Sequence, residues 1–405
     1  MNSRNLLLVI ILLMLTLIGL SFRFVGYEAT WHLWNIPTLM PPFTDLRLLP
    51  GSAESYHAGF NPIHDNPGDP LGRQFNYPFA WYFVFYTGIR QDDTIWIGAL
   101  LATGYLFCSW LFSRRIGLLA ACLMSIILFS PASMLAMERG NVDLFIFILC
   151  TLTLLFLESR IWLATLFLLT ASFLKLFPIF GLAIFLRESR TRFWTISLSF
   201  LVIFFIYALL TYPNISASFA YTEKGGQLSY GVNVIPLYIE QIFSSKQLFD
   251  LLTPLTPLIG LGLFLYAFRL GSKSDLLPAN DSRHLSAFRL GAMIYTGTFF
   301  IGNNWDYRLI FTLFTVPQLV DWATTSPIRI QARWTIVALV VACWYLVNLS
   351  IFAFLPMYEY LVYCLDQIAK WGLFTGLCYF FLASSPDWLK LEVQKVFRFR
   401  KQQPV

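Results

Sequence analysis

The residues best suited to chemistry lie in one polar stretch, from Pro41 to Pro78, in an otherwise apolar half of the chain. Its acids and histidines are Asp45, Glu54, His57, His64, Asp65 and Asp69. A partly desolvated carboxylate can act as a general base on a sugar or lipid hydroxyl, because its surroundings tune its pKa toward the working pH. Asp45 is a candidate for this role. The alternative is a helix cap at the start of Leu-Arg-Leu-Leu, since Asp accepts bonds from free backbone N–H groups.

The histidines and cysteines do not form a recognisable metal-binding pattern. Only His57 and His64, together with an acid of the same stretch, could form a metal set, and their spacing matches no zinc site. The six cysteines fall within or beside apolar runs and have no CxxC spacing, which is typical of small core residues. We therefore predict no cofactor and no metal, with a divalent ion at the loop histidines as the alternative.

The composition indicates a membrane protein. Hydrophobic residues make up 57% of the chain and charged residues 12%, whereas soluble domains are about 45–50% apolar and about 25% charged. Many apolar runs have the roughly 17–25 residues that a helix needs to cross a bilayer. We predict an all-α polytopic membrane protein with a single membrane domain over residues 1–385 and a basic cytoplasmic tail over 386–405. The net charge of +6 is explained by basic turns, so membrane lipids and no nucleic acid are expected as partners.

The Lys and Arg residues of the short turns predict the orientation. They make both termini cytoplasmic in a multi-pass inner (plasma) membrane protein, with a large extracytoplasmic loop over residues 23–78. Tyr77 to Ile89 is too short to cross and is interpreted as a half-helix, and Ile161 to Leu186 as a hairpin of two half-spans broken at Pro178. About twelve membrane segments result. The other predicted spans are about 5–22, 94–112, 116–136, 142–157, 193–212, 251–268, 286–302, 308–322, 334–355 and 358–383.

Several polar residues then collect in the outer turns, where they are functional candidates unless they pair with one another. Arg139, Lys175 and Arg308 could bind a phosphate group. The alternative is internal pairing, of Arg139 with Glu138 or Asp143 and of Arg308 with Asp306, whereas Lys175 has no carboxylate near it in sequence. Asn141 could instead cap the helix that opens with Val142.

Several motifs occur in an order that resembles glycosyltransferase family 87, polyprenyl-phosphate-sugar-dependent, mannosyltransferase-like enzymes of the GT-C superfamily. The motifs are Asp45 with Glu54-Ser55 and Gly59-Phe60-Asn61-Pro62, Tyr77-Pro78, Arg139-Gly140-Asn141-Val142-Asp143-Leu144, Lys175-Leu176-Phe177-Pro178 and Asp306-Tyr307-Arg308-Leu309-Ile310-Phe311.

The resemblance implies a GT-C-type helical bundle that moves a mannose-like hexose or pentose, with inversion, from a polyprenyl-phosphate donor to a lipid or cell-envelope glycan acceptor outside the cytoplasm. Asp45 would be the base, and Lys175, Arg308 and Arg139 would bind the donor phosphate. The pocket would be lined by Glu54, Asn61, Tyr77, Asn141, Asp143, Asn233, Asp306 and Tyr307. Asp65 and Asp69 are left as solvated turn residues.

Two other classes of protein remain as alternatives. A transporter or lipid flippase also uses broken helices and intramembrane charges, but such folds usually carry internal repeats, and the two halves of this chain do not resemble each other. An inactive assembly subunit of the cell envelope would keep the fold without the reaction.

Overall fold

The computed structural model describes residues 3–274, 283–325 and 327–398. Helices dominate this part of the chain, as the apolar runs predict. In order, its α-helices are α1 (Ser3–Phe24), α2 (Tyr27–His32), α3 (Leu48–His57), α4 (Thr94–Phe112), α5 (Leu118–Leu128), α6 (Pro131–Glu138), α7 (Asp143–Phe156), α8 (Ile161–Leu174), α9 (Arg190–Leu210), α10 (Tyr212–Tyr221), α11 (Val234–Phe243), α12 (Lys246–Ser272), α13 (Arg283–Ile301), α14 (Val316–Thr325), α15 (Arg329–Cys343), α16 (Tyr345–Ile351), α17 (Tyr358–Ala383) and α18 (Asp387–Arg398). The 3₁₀ helices are Phe79–Tyr86, Gln91–Asp93, Phe177–Arg187 and Asp306–Thr315, and the short strands are β1 (Ser229–Tyr230) and β2 (Asn304–Trp305).

Within the described residues, four helices are long and apolar enough to cross a membrane. They are Arg4–Phe24, Gln91–Phe112, Arg190–Leu210 and Lys246–Ser272. The number rises to six if α5 with α6, and α15 with α16, each count as one span. The all-α membrane class is therefore confirmed, whereas the count of about twelve segments is not.

Four predicted elements differ in detail from the structure. The predicted spans 116–136 and 334–355 are each divided into two helices, and 308–322 is a 3₁₀ helix followed by α14. The break in 161–186 comes at Lys175, which has an extended backbone (φ −147°, ψ 116°), and not at Pro178. Pro178 lies inside the following 3₁₀ helix, where its ring fixes a φ that the helix can use.

The chain folds into two compact units. The first unit comprises residues 1–116, 128–179 and 197–223, and the second comprises 117–127, 180–196 and 224–405. Each unit contains segments from both halves of the sequence, so neither is a contiguous domain.

In the first unit, α7 packs against α8 and α4. Small residues let the chain approach these helices closely. A Cβ on Gly104 of α4 would lie 2.8 Å from Cδ1 of Ile148 in α7, and one on Gly98 would lie 2.5 Å from the ring of Phe43 in the first loop. The indole of Trp81 donates a hydrogen bond to the carbonyl of Leu174 (2.9 Å), which joins the Phe79–Tyr86 3₁₀ helix to the end of α8.

In the second unit, α17 packs against α12, α13 and α15, and α13 packs against the Asp306–Thr315 3₁₀ helix. The ring of Phe299 stacks on Phe374 with centroids 4.4 Å apart. The antiparallel pairing of β1 with β2 aligns Ser229 with Trp305, so the chain enters the 3₁₀ helix at Asp306 beside β1. Gly231 has φ +130°, and a Cβ there would lie 2.0 Å from the carbonyl oxygen of Gly302.

Candidate functional site

Asp45 lies in the first loop and is held by residues 139–141 of the same unit. Its backbone N–H donates to the carbonyl of Arg139 (3.0 Å), and Nδ2 of Asn141 donates to its Oδ2 (2.8 Å). Arg73 Nη1 lies 3.3 Å from its Oδ1. The side chain is 20% exposed. A carboxylate has about four acceptor positions, so two donors leave acceptor capacity for a substrate hydroxyl.

The cap interpretation of Asp45 is wrong. α3 begins at Leu48 with Arg47 at the N-cap, and no side chain caps it. Asp45 instead uses its carboxylate for contacts with Arg73 and Asn141, which are distant from it in sequence.

Residues 139–143 form the turn between α6 and α7, and its backbone conformation requires the glycine and favours the asparagine. Gly140 has φ +58°, and the N–H groups of Gly140 and Asn141 bond to the carbonyls of Met137 (3.1 Å) and Ala136 (3.0 Å). These two bonds form a Schellman motif that ends α6. Oδ1 of Asn141 accepts from the N–H of Asp143 (2.9 Å), but α7 begins at Asp143 with Val142 at its N-cap and no side-chain cap, so Asn141 orders the turn before the helix. The same amide reaches Asp45 through Nδ2.

Arg139 pairs with its neighbour Glu138, as the pairing interpretation predicts. Nη1 of Arg139 lies 2.6 Å from Oε2 of Glu138, and Nη2 donates to the carbonyl of Pro37 (2.8 Å). The other oxygen of Glu138 accepts from the N–H of Leu39 (3.1 Å). The pair therefore fastens residues 37–39 to the end of α6. Burial, together with the Glu138 carboxylate, raises the pKa of Tyr27 to about 12, so this phenol stays protonated.

Lys175 follows α8 and lies beside Tyr77 and Asp143. Its Nζ is 3.7 Å from Oδ1 of Asp143 and 4.7 Å from the centre of the Tyr77 ring. The Lys175 side chain is 17% exposed and that of Asp143 is fully buried. The interpretation that Lys175 has no carboxylate near it is true only along the sequence, because the packing of α7 against α8 brings Asp143 to it.

Asp69 and Arg73 are functional candidates that the sequence reasoning missed. Asp69 is not a solvated turn residue, because its side chain is fully buried and its oxygens accept from Nη2 (2.9 Å) and Nε (3.1 Å) of Arg73. Asp69 and Arg73 are four residues apart, a spacing that suits an ion pair in a helix, but the loop composition gave no reason to expect one. Asp65 is exposed, as predicted.

Two other loop residues accept hydrogen bonds from backbone N–H groups. Glu54 Oε1 accepts from the N–H of Gln91 (2.9 Å), and the exposed Asn61 accepts from the N–H of Ile63 (3.2 Å) in a local turn. Their predicted place in the pocket remains a prediction. His57 and His64 are exposed. Among the described residues, no group of three or more His, Cys, Asp or Glu side chains is arranged to hold a metal ion.

The second unit contains the remaining predicted residues and a buried ion cluster. Asp306 does not pair with Arg308. Its carboxylate contacts Lys370 Nζ of α17 (2.8 Å), which also lies 2.7 Å from Asp366. Lys370 is fully buried and donates to the carbonyl of Ser229 (3.0 Å). Asp366 and Lys370 are opposite charges four residues apart in an apolar helix, and this pattern could have marked them in the sequence as a buried ion pair.

Arg308, Asn233 and Tyr307 lie in the same unit as that cluster. Arg308 Nη1 donates to Oδ1 of Asn304. Asn233 precedes α11, and its N–H donates to the carbonyl of Gly302 (3.2 Å). Tyr307 is half-buried in the Asp306–Thr315 3₁₀ helix.

The family model of glycosyltransferase family 87 matches residues 75–296, which is more than half of the chain. Tyr77, the 139–143 turn and Lys175 fall within the match, whereas Asp45 and the 306–308 segment fall outside it. A search of curated proteins gives no match, and neither does a search of solved structures.

Proposed function

Because the chain belongs to glycosyltransferase family 87, and is therefore a membrane glycosyltransferase with a sugar donor and an acceptor, we propose that its donor is a polyprenyl-phosphate sugar and its base is Asp45. The sugar would be a mannose-like hexose or a pentose, and the acceptor a lipid or a cell-envelope glycan. Family membership favours this function over the transporter and the inactive subunit.

The observation that carries the proposal is a continuous path of polar contacts in the first unit. Asp45 accepts from Asn141, Asn141 accepts from the backbone of Asp143, and the Asp143 carboxylate contacts Lys175. The path joins a partly exposed carboxylate to a partly exposed ammonium group. These are the two charges that base-assisted displacement of a phosphate requires.

The reaction would proceed by direct displacement with inversion. The acceptor hydroxyl gives its proton to the Asp45 carboxylate while its oxygen forms a bond to the anomeric carbon. The bond from that carbon to the phosphate oxygen breaks, and the electron pair leaves with the polyprenyl phosphate. A fixed cation such as Lys175 stabilises the negative charge that develops on this oxygen, so no general acid is needed.

The partners of the basic residues bear on their proposed roles. The Nζ of Lys175 lies 3.7 Å from the Asp143 carboxylate, longer than a tight charge-assisted hydrogen bond of about 2.7–2.9 Å, and its side chain is 17% exposed, so a phosphate can reach it. Arg139 lies 2.6 Å from Glu138 and would have to give up this close ion pair to bind the donor phosphate. It is therefore a weaker candidate than Lys175 for that role. Arg308 remains a proposed phosphate ligand, and Asp306, Asn233 and Tyr307 remain proposed lining residues.

The side of the reaction is proposed to be extracytoplasmic, with cytoplasmic termini in an inner (plasma) membrane. The support is the basic composition of the short turns opposite the first loop. A lipid-linked phosphosugar presents its phosphate at the membrane–water interface. On the extracytoplasmic side, the first loop and the start of α7 would meet this phosphate.

Steady-state kinetics of the purified, lipid-reconstituted protein test the donor assignment. We expect transfer from a synthetic polyprenyl-phosphate hexose and none from a nucleotide sugar. Lys175→Ala should raise the KM for this donor, because it removes the cation that meets the phosphate in the ground state as well as in the transition state. The matched control is Lys224→Ala, at an exposed lysine of the second unit.

Two results would contradict the donor assignment. Transfer from the nucleotide sugar alone would exclude the lipid-phosphate donor. An unchanged donor KM and kcat in Lys175→Ala would remove Lys175 from the site.

A further inference from the structure

Arg73 and Asp69 form an ion pair beside Asp45 to which the proposed reaction assigns no role. We propose that Arg73 is a positioning residue that orients the Asp45 carboxylate toward the acceptor hydroxyl, and that buried Asp69 holds Arg73 in place. The inference rests on the proposed function, because it concerns how the proposed base is held.

The Arg73 guanidinium is fixed by contacts on three of its sides. Nε and Nη2 form a fork on the two oxygens of Asp69 (3.1 and 2.9 Å), and Nη2 also donates to the carbonyl of Thr44 (2.6 Å). Nη1 then lies 3.3 Å from Oδ1 of Asp45. Because a bidentate fork fixes both the position and the plane of the group, the direction of Nη1 toward Asp45 follows from the Asp69 pairing.

Asp69 is a rigid anchor for this fork. Its side chain is fully buried, and Oδ2 also accepts from the backbone N–H groups of Leu71 (3.2 Å) and Arg73 (2.9 Å). Burial lowers the pKa of Arg73, but hydrogen bonds and charge from Asp69, with the charge of Asp45, outweigh it and raise the pKa. The guanidinium therefore carries its full charge next to Asp45.

Arg73 is poorly suited to bind the donor phosphate itself. A guanidinium has five N–H donors, and the contacts with Asp69, Thr44 and Asp45 use four of them. A phosphate at Arg73 would also approach two carboxylates, which repel it. Arg73 therefore acts on the reaction through Asp45 and not through the donor.

Together, Arg73 and Asn141 hold one oxygen each of the Asp45 carboxylate. Two donors on different oxygens stop rotation about the bond that carries the carboxylate, and the remaining acceptor positions then point in fixed directions. A base held in this way keeps the near-attack geometry that a freely rotating carboxylate loses.

The matched control is Arg47, a buried arginine of the same loop. Its guanidinium donates to the carbonyl of Pro42 (2.9 Å) and to Oε1 of Gln91 (3.1 Å). Arg47→Met should therefore lower thermal stability without lowering kcat. A stability effect of losing a buried arginine is thus separated from an effect on Asp45.

The test compares kcat and the donor and acceptor KM of reconstituted Arg73→Met, Arg73→Lys, Arg73→Ala and Asp69→Asn, with Asp45→Asn as reference. We expect Arg73→Met to lower kcat roughly 10- to 100-fold, since misplacing a reacting group by about 1 Å has an effect of this size. Both KM values should stay within about twofold, because the residue contacts neither substrate. Arg73→Lys should recover part of kcat, and added guanidinium ion should partly restore Arg73→Ala.

Asp69→Asn keeps the volume of the anchor and the charge of Arg73, so it covers the case in which Arg73→Met does not fold. It should lower kcat in the same direction by a smaller factor. If Arg73 and Asp69 had a purely structural role, Asp69→Asn would lose stability but keep the kcat of the Arg47→Met control. Added guanidinium ion would then not raise the kcat of Arg73→Ala.

The outcomes separate this inference from the proposed function. Wild-type kcat in Arg73→Met or in Asp69→Asn, with inactive Asp45→Asn, would overturn the positioning role alone. A raised donor KM at unchanged kcat in Arg73→Met would also overturn it, since the residue would then bind donor. An active Asp45→Asn would remove Asp45 as the base and leave nothing for Arg73 to position.

Discussion

Replacing Gly140 by alanine should disturb Asp45 without touching its side chain. Gly140 has φ +58°, a conformation that costs an L-residue about 1–2 kcal/mol. The new Cβ would lie 2.9 Å from Cβ of Phe43 and 3.2 Å from Cβ of Leu46. Overpacking of this kind costs about 1–3 kcal/mol, so we expect a total loss of about 2–5 kcal/mol if the two effects add.

The clash would fall on Phe43 and Leu46, which lie on either side of Asp45 in the first loop. The N–H groups of Asp45 and Leu46 both bond to the carbonyl of Arg139, the residue before Gly140. Relief of the clash moves Phe43 and Leu46 away from the turn and takes Asp45 with them. A displacement of about 1 Å predicts a kcat roughly 100-fold lower in Gly140→Ala.

Thermal unfolding measures the loss of stability, and steady-state kinetics with donor and acceptor measure the loss of kcat. The control is Gly59→Ala, at a glycine with φ +91° whose added Cβ would meet nothing within 4 Å. It carries the backbone strain without the contact, so it should lose stability and keep its kcat. Wild-type kcat in Gly140→Ala, or an equal loss of kcat in both variants, would refute the reasoning.

Two further predictions concern the second unit and the orientation of the chain. Lys370→Met leaves the carboxylates of Asp306 and Asp366 buried without their cation and should cost about 3–5 kcal/mol of stability. Its midpoint of thermal unfolding should be lower than that of the exposed-site control Lys273→Met. An unchanged midpoint would contradict the pairing. In a cysteine-free background, a cysteine at exposed position Asp65 should react with a membrane-impermeant maleimide in intact cells and one at Lys273 only after permeabilisation, and the reverse pattern would invert the predicted topology.

Composition and local motifs were sufficient for the class, the family and one important turn. The low charge and long apolar runs predict helices in a membrane, and the order of the motifs predicts glycosyltransferase family 87, which the match over residues 75–296 confirms. The sequence favours either a cap or a site role for Asn141, and its amide contacts both the backbone N–H of Asp143 and the Asp45 carboxylate. Such features follow from neighbours within a few residues, so the sequence displays them directly.

The partners of the charged residues depend on tertiary packing and were mostly not predicted. Asp143 meets Lys175 only because α7 and α8 are adjacent, and Lys370 meets Asp306 across 64 residues. The count of about twelve segments is not confirmed for a related reason. Short apolar helices such as α8 and 3₁₀ segments are stabilised by packing, so run length alone does not give the number of spans.

The central claim is that Asp45 is the base of a sugar transfer from a polyprenyl-phosphate donor, and the rate of that transfer by Asp45→Asn tests it most directly. The variant keeps the size of the side chain and removes the proton acceptor. The control is Asp65→Asn, at an exposed acid of the same loop. Loss of Asp45 as base should lower kcat at least about 100-fold, while Asp65→Asn stays at the wild-type rate. A wild-type transfer rate in Asp45→Asn would contradict the account.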